Sequence, residues 1–264
     1  MTMRTLKLLL LIGVYLSGTD CFAQKVTPKA IEKDLLKTFN KIDHWYEQRQ
    51  TDTTTAWSDS LNAANDKFAE KLKYYADRYP LIADTRSNAK PDNSLGVCSD
   101  DGRLWIYSWD TDMGGTQHVF DNVFQYRQGQ RIITTVDTGK NDEEYTYDYD
   151  KIFMLKIGQQ SYYLVTYYAI LGLHERAEGI RVFAIENGKL NEKVKLIRTK
   201  RGLTNKLQYT YDQLLTNSDI MSETTLEYDP KEKTITFPVV VADGKVTDNY
   251  ITYKFNGQYF EKVK

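Results

Sequence analysis

Cysteine is nearly absent from this chain, with two in 264 residues, and one of the two, Cys21, falls in an apolar N-terminal leader. Once the leader is cleaved, Cys98 stands alone, no intramolecular disulfide can form, and the fold rests on its hydrophobic core. An excess of charge of one sign is lacking too. The 35 Lys and Arg against 36 Asp and Glu give −1, and loss of Arg4, Lys7 and Asp20 with the leader takes this to −2. Such near neutrality argues against nucleic acid as a partner. Beyond the leader, no apolar run approaches the roughly 18 residues that a spanning helix requires, so no transmembrane segment is expected. Familiar catalytic signatures are missing as well: there is no G-x-S-x-G, no H-E-x-x-H and no Gly-rich phosphate loop. The remaining thiol has no evident base beside it, and these absences tilt the expectation toward a non-enzyme.

What is present begins with MTMRTLK, where Arg4 and Lys7 precede an apolar run from Leu8 to Leu16 and a short stretch ending Cys21-Phe22-Ala23. That pattern is a signal peptide over residues 1–23, with cleavage before Gln24. Asp20, where a lipoprotein signal has a small residue, argues against lipidation of Cys21. The expectation is an exported protein, periplasmic or extracellular.

Residues 24–82 carry a helical period. Ile31, Leu35, Phe39, Ile42 and Trp45 recur every three or four residues behind Thr27 and Pro28, which suit an N-cap and first helical position. Trp57, Leu61, Ala64, Phe68, Leu72, Tyr75 and Tyr79 repeat the pattern up to Pro80, so two helices are predicted as an antiparallel hairpin. The polar stretch 83–93 reads as a linker.

From 94 to 264 the period changes to that of strands, and the same order of segments occurs three times. The first copy runs LGVCS (95–99), LWIYSW (104–109), HVFDNVFQYR (118–127) and RIITTVD (131–137). The second is IFMLKI (152–157), YYLVTYYAI (162–170), IRVFAIE (180–186) and KVKLIRT (193–199). The third is TTLEYD (224–229), TITFPVVV (234–241), NYITYKF (249–255) and QYFEKV (258–263). Turns at Asp101-Gly102, Gln128-Gly129, Asn187-Gly188 and Asn256-Gly257 separate strands within the copies, and Asn-Gly is the pair best suited to a type I′ hairpin. YTYD recurs at 145–148 and 209–212, ahead of the second and third copies. The fold class is therefore mainly β, α+β overall: a helical hairpin followed by about twelve antiparallel strands in three four-stranded meanders. A propeller-like wedge leads, with a trefoil-type barrel or a sandwich as alternatives, and Pro238 marks an edge or bulge.

Equivalent loops of repeats share one rim, and rims are where repeat proteins build sites. The loops between second and third strands, DTDMGGTQ (110–117), LGLHERAEG (171–179) and ADGKVTD (242–248), are polar and acidic. Asp110, Asp112, His118, His174, Glu175, Glu178, Asp243 and Asp248 are the candidate ligand-binding residues there. Trp105 and Trp109 join them as a second candidate, because Trp105, Tyr107 and Trp109 share one face of a strand and aromatic platforms stack on sugars; core packing is the plainer reading of such residues. DTDMGG suits a tight calcium turn, yet it lacks the third oxygen ligand and the distal Glu of an EF-hand. HERAE ends in Glu where a zinc protease has its second His. No cofactor is expected, calcium being the alternative. Lys193, Lys195 and Arg198 alternate with Val194 and Leu196 as on a half-buried strand.

YDKIFMLKIGQQSYYLVTYY, VFAIENGKLNEKVKLIRTK followed by GLTN, and FPVVVADGKVTDNYITYKFNGQYFEKVK, together with the CFAQ ending of the leader, carry a resemblance. From about residue 145 onward the chain resembles a group of secreted proteins of Bacteroidetes-type bacteria that have no assigned activity. The resemblance implies an envelope or extracellular location and supplies no catalytic residue. Three functional expectations follow: a binding module for a protein or glycan outside the cytoplasm, a glycan hydrolase using rim carboxylates, or a structural envelope component whose hairpin docks a protein partner. A hydrolase of that kind needs two carboxyls about 5–10 Å apart in a concave cleft.

Overall fold

The computed structural model describes residues 27–49, 51, 56–79, 96–138, 145–216 and 225–263; the predicted leader and the linker at 83–93 lie outside these. Helix α1 spans Pro28–Gln48 and α2 spans Ala56–Ala76. Thr27 is extended, and its side chain accepts a hydrogen bond from the Ala30 N–H at 3.2 Å, while Pro28 occupies the first turn, where a missing N–H costs nothing. Asp34, early in α1, accepts from Lys71 (3.0 Å) and from the Tyr75 hydroxyl (2.8 Å), both late in α2, so the helices run antiparallel.

The strands form three sheets. Sheet I contains β1 (Gly96–Cys98), β2 (Leu104–Asp110), β3 (Phe120–Gln128) and β4 (Arg131–Asp137), all antiparallel and in chain order, matching the first predicted meander. Sheet II is built on β5 (Asp148–Ile157), β6 (Gln160–Ile170) and β7 (Glu175–Glu186). Sheet III contains β12 (Glu227–Asp229), β13 (Thr234–Val240), β14 (Val246–Phe255) and β15 (Phe260–Lys262), again antiparallel and in order. The register between β13 and β14 shifts between Pro238 and Val240, so the proline sits at a bulge.

The second copy departs from the expected meander. The Asn187-Gly188 hairpin forms, with φ of 49° and 74° at its two residues, but the returning strand β8 (Lys189–Asn191) is short. It covers β7 only from Ala184 to Glu186. The chain then leaves the sheet, because Val194, Leu196 and Ile197 bury themselves in the core between sheets II and III. Within the predicted strand 193–199, only β9 (Ile197–Thr199) is a strand, and it pairs in parallel with β15 of sheet III, where β10 (Gly202–Thr204) extends it. The remaining edge of β7, from Glu175 to Arg181, is taken by β11 (Lys206–Asp212), which contains the second YTYD. That motif is thus the fourth long strand of sheet II and not a connector. Residues 189–205 stitch sheet II to sheet III.

Layering follows from strand alternation. On sheet I, Trp105, Tyr107, Trp109 and Val123 face the helices and pack with Ile42, Leu61, Phe68 and Leu72. Val97, Leu104, Ile106 and Phe124 point the other way and meet Tyr149, Tyr163, Tyr167 and Phe183 of sheet II. The opposite face of sheet II, with Leu155, Leu164, Ile180 and Val182, packs on Ile235, Phe237, Tyr253 and Phe260 of sheet III. The result is a stack in the order hairpin, I, II, III. Among the described residues no sheet closes into a barrel, which removes the trefoil alternative. Among the described residues no helix is long and apolar enough to cross a membrane.

Candidate functional site

The connections β2–β3, β6–β7 and β13–β14 are equivalent hairpins in three stacked sheets, so they emerge at one rim of the stack. Backbone hydrogen bonds tie them in sequence. The His118 N–H donates to the Ile170 carbonyl at 3.0 Å, joining the sheet I loop to the end of β6. The Gln213 N–H, in the short 3-10 turn Gln213–Leu215 after β11, donates to the His174 carbonyl at 2.8 Å. The Asp212 N–H donates to the Gly244 carbonyl at 2.9 Å and reaches the sheet III loop. The hairpin joins from the other side: Asn65 Nδ2 donates to the Thr111 carbonyl at 2.8 Å, and its Oδ1 accepts from Trp109 Nε1 at 3.1 Å. The rim predicted from loop equivalence therefore exists as a connected surface.

Its sheet I end is a compact cluster of titratable groups. Asp110 accepts from the Asp112 N–H at 2.9 Å through one carboxylate oxygen and meets His118 Nδ1 through the other. The His118 ring stacks near Phe120, with centroids 6.4 Å apart. Asp112 has φ of 55°, a left-handed conformation that Asp and Asn adopt more readily than other side chains. Burial pushes its carboxyl up to about 6, assisted by the negative charges of Asp110 and Asp43 and opposed by His118. Next to this cluster Tyr168 donates to Asp148 Oδ2 at 2.8 Å, and burial, followed by the charge of Asp148, raises its phenol well above the usual value.

His174 is half-buried at the rim, Glu175 is exposed where β7 begins, and Asp243 is exposed in the sheet III turn. Asp248 is exposed as well, but on β14 and not in the loop.

Three predicted site residues are elsewhere. Trp105 and Trp109 are 4% and 2% exposed, and both lie under the helical hairpin. The ring stripe is core, because the hairpin covers the face of sheet I that a free strand would present to sugars. Glu178 is 4% exposed, since β7 starts at Glu175 and alternation turns residue 178 inward. Its Oε1 accepts from the Tyr211 hydroxyl at 2.9 Å, and its Oε2 accepts from the Thr225 N–H at 2.9 Å and the Tyr209 hydroxyl. Burial first and the Glu178 charge second push both phenols above their ordinary range. The second YTYD thus supplies the donors that permit a buried carboxylate. The first YTYD behaves differently: its Tyr145 and Tyr147, with Tyr149 just after it, sit in the core between sheets I and II, where Tyr149 accepts from Arg181 Nη1 at 2.9 Å.

The rim also has an apolar component that the sequence reading passed over. Met113, Leu173, Leu214, Leu215 and Val241 are all exposed and all belong to the rim segments. The available clue was an aliphatic residue at each tip of an otherwise polar loop. Among the described residues no group of three or more His, Cys, Asp or Glu side chains is arranged to hold a metal ion.

These features define a mainly β, α+β protein of three stacked sheets with a helical hairpin on the first and a connected loop rim on one side. No protein-family model, curated protein or solved structure matches the chain.

Proposed function

We propose that this is an exported binding module, working in the periplasm or outside the cell, whose contact surface is the loop rim. The observation that carries the reading is the placement of exposed apolar side chains. Of the eleven large ones among the described residues, five lie on this rim, and Leu173 and Leu214 are each 68% exposed. Single exposed leucines need no explanation, whereas a gathering of them on one surface marks an interaction site. The rim is also held in place before any partner arrives, since its loops are bonded to one another and to α2, which lowers the ordering cost of binding.

The test is site-specific photo-crosslinking in cells that export the protein. A crosslinker at Leu173 should give a discrete adduct, and one at Thr252, on the outer side of sheet III, should give none. Adducts from Thr252 alone, or equal labelling from both positions, would overturn the assignment.

A further inference from the structure

The rim is apolar and acidic together, and that combination narrows its partner. Asp110, Asp112, Glu175, Asp212, Asp243 and Asp248 stand on the rim segments, against Arg176 and Lys245 on those segments and Arg49, at the end of α1, whose Nη1 donates to the Gly114 carbonyl of the sheet I loop at 3.4 Å. Arg176 is further committed to the rim itself, its Nη1 donating to the carbonyls of Gly172 (2.8 Å) and Glu175 (3.0 Å). Acidic excess and exposed aliphatic side chains are therefore interleaved along one surface. Adjacent stacked sheets are about 10 Å apart, so the rim from the sheet I loop to the sheet III loop extends roughly 20 Å. At 1.5 Å per residue that is the length of about three to four helical turns.

Resting on the rim as contact surface, we propose that its occupant is a cationic amphipathic polypeptide segment. Its apolar face covers Met113, Leu173, Leu214 and Val241, and its Lys or Arg side chains meet the rim carboxylates. Charge complementarity selects this class. An anionic bilayer offers the same aliphatic contacts but repels an acid-rich rim. A glycan calls for aromatic faces, and the Trp105 and Trp109 rings are buried beneath the hairpin. A helix laid in register with aliphatic anchors spaced along one face uses the rim as it is built.

The experiment is fluorescence anisotropy with the full chain and two labelled probes of about 18 residues that share one helical pattern: a Leu/Lys peptide and its Leu/Glu counterpart. Anionic phospholipid vesicles serve as a third probe. The Leu/Lys peptide is expected to bind, to weaken with salt, and to lose at least tenfold in affinity in the Leu173→Ser/Leu214→Ser variant and again in Glu175→Gln/Asp243→Asn/Asp248→Asn. All five positions are exposed, so melting curves should show both variants folded. Preference for the Leu/Glu peptide, or vesicle binding abolished by the two serine changes, overturns the cationic partner and leaves the rim standing as contact surface. Leu/Lys binding indifferent to both sets of substitutions, with crosslinks mapping away from residue 173, overturns the rim as well.

Discussion

Asp112→Asn is expected to stabilise the protein near neutral pH, although it removes a charge from the proposed contact surface. The carboxyl is held at about 6 against an ordinary 3.8 because burial and the charges of Asp110 and Asp43 disfavour its ionised form. With the folded-state value above the unfolded one, the fold takes up the proton more readily than the unfolded chain does. The penalty is therefore absent below about pH 3.8, grows as pH rises through 6, and is complete above it. The full displacement corresponds to at most about 3 kcal/mol. Asp112 is only half-buried, and solvent screening reduces this to about 1 kcal/mol. Asparagine keeps the neutral shape, tolerates the left-handed φ of 55°, and leaves the backbone N–H donating to Asp110. In a chain of this size about 1 kcal/mol raises the melting temperature by roughly 2–4 °C. Paired melts at about pH 7.5 and pH 4 isolate the effect, because the gain must be present at the first and mostly gone at the second. A variant that is neutral or weakened at the higher pH, or whose gain persists unchanged at the lower, would refute the electrostatic account.

Gly179→Ala should destabilise severely, by about 3 kcal/mol, because the new methyl would lie 2.6 Å from the Leu207 carbonyl and collide with the Tyr167 ring across the sheet. Urea unfolding reads it directly, and a loss under about 1 kcal/mol would mean that β7 and β11 are not packed as described. Glu178→Ala takes the acceptor from the Tyr211 hydroxyl and the Thr225 N–H and leaves the Tyr209 hydroxyl with Thr225 Oγ1 alone, which should cost about 3 kcal/mol. Glu178→Gln keeps an acceptor oxygen and should cost clearly less, so equal losses in the two variants would contradict the hydrogen-bonded cradle.

Much of the fold was legible because its elements obey local rules. Ile31, Leu35 and Ile42 are buried on α1 as their spacing implies, and the first and third meanders form in order. The second meander failed at its fourth strand for a long-range reason. KVKLIRT has the alternation of a strand, but nothing within it says whether its apolar side lies on sheet II or crosses to pair with β15 near the C-terminus. The rim was legible from loop equivalence, yet individual residues on it were not. Trp105 and Trp109 alternate on β2 as a solvent-facing platform would, and only the hairpin on that face makes them core. Glu178 was assigned to a loop because the acidic HERAE stretch hid the start of β7, and its burial depends on Tyr209, Tyr211 and Thr225, which lie far along the chain.

The stack itself explains why binding belongs on this rim. Sheet I spends one face on the hairpin and the other on sheet II, and sheet II spends both faces on its neighbours. Sheet III turns Thr234, Thr236, Thr252 and Lys254 outward from its inward-facing Ile235, Phe237 and Tyr253, and Tyr250 and Leu203 are exposed singly on that same side, so the stack ends on a mostly polar face without a gathering of apolar side chains. Only the two rims remain. On one, the strands return through tight turns such as Asp101-Gly102, Gln128-Gly129 and Asn187-Gly188, where glycine at positive φ allows the reversal and few side chains project. The other carries the connections β2–β3, β6–β7 and β13–β14, and it is there that Met113, Leu173 and Val241 are left in solvent. A tight turn holds its glycine for backbone geometry, and replacing it strains the hairpin. The loops at the opposite end can change side chains without disturbing the ladders behind them, which is the division a binding scaffold requires.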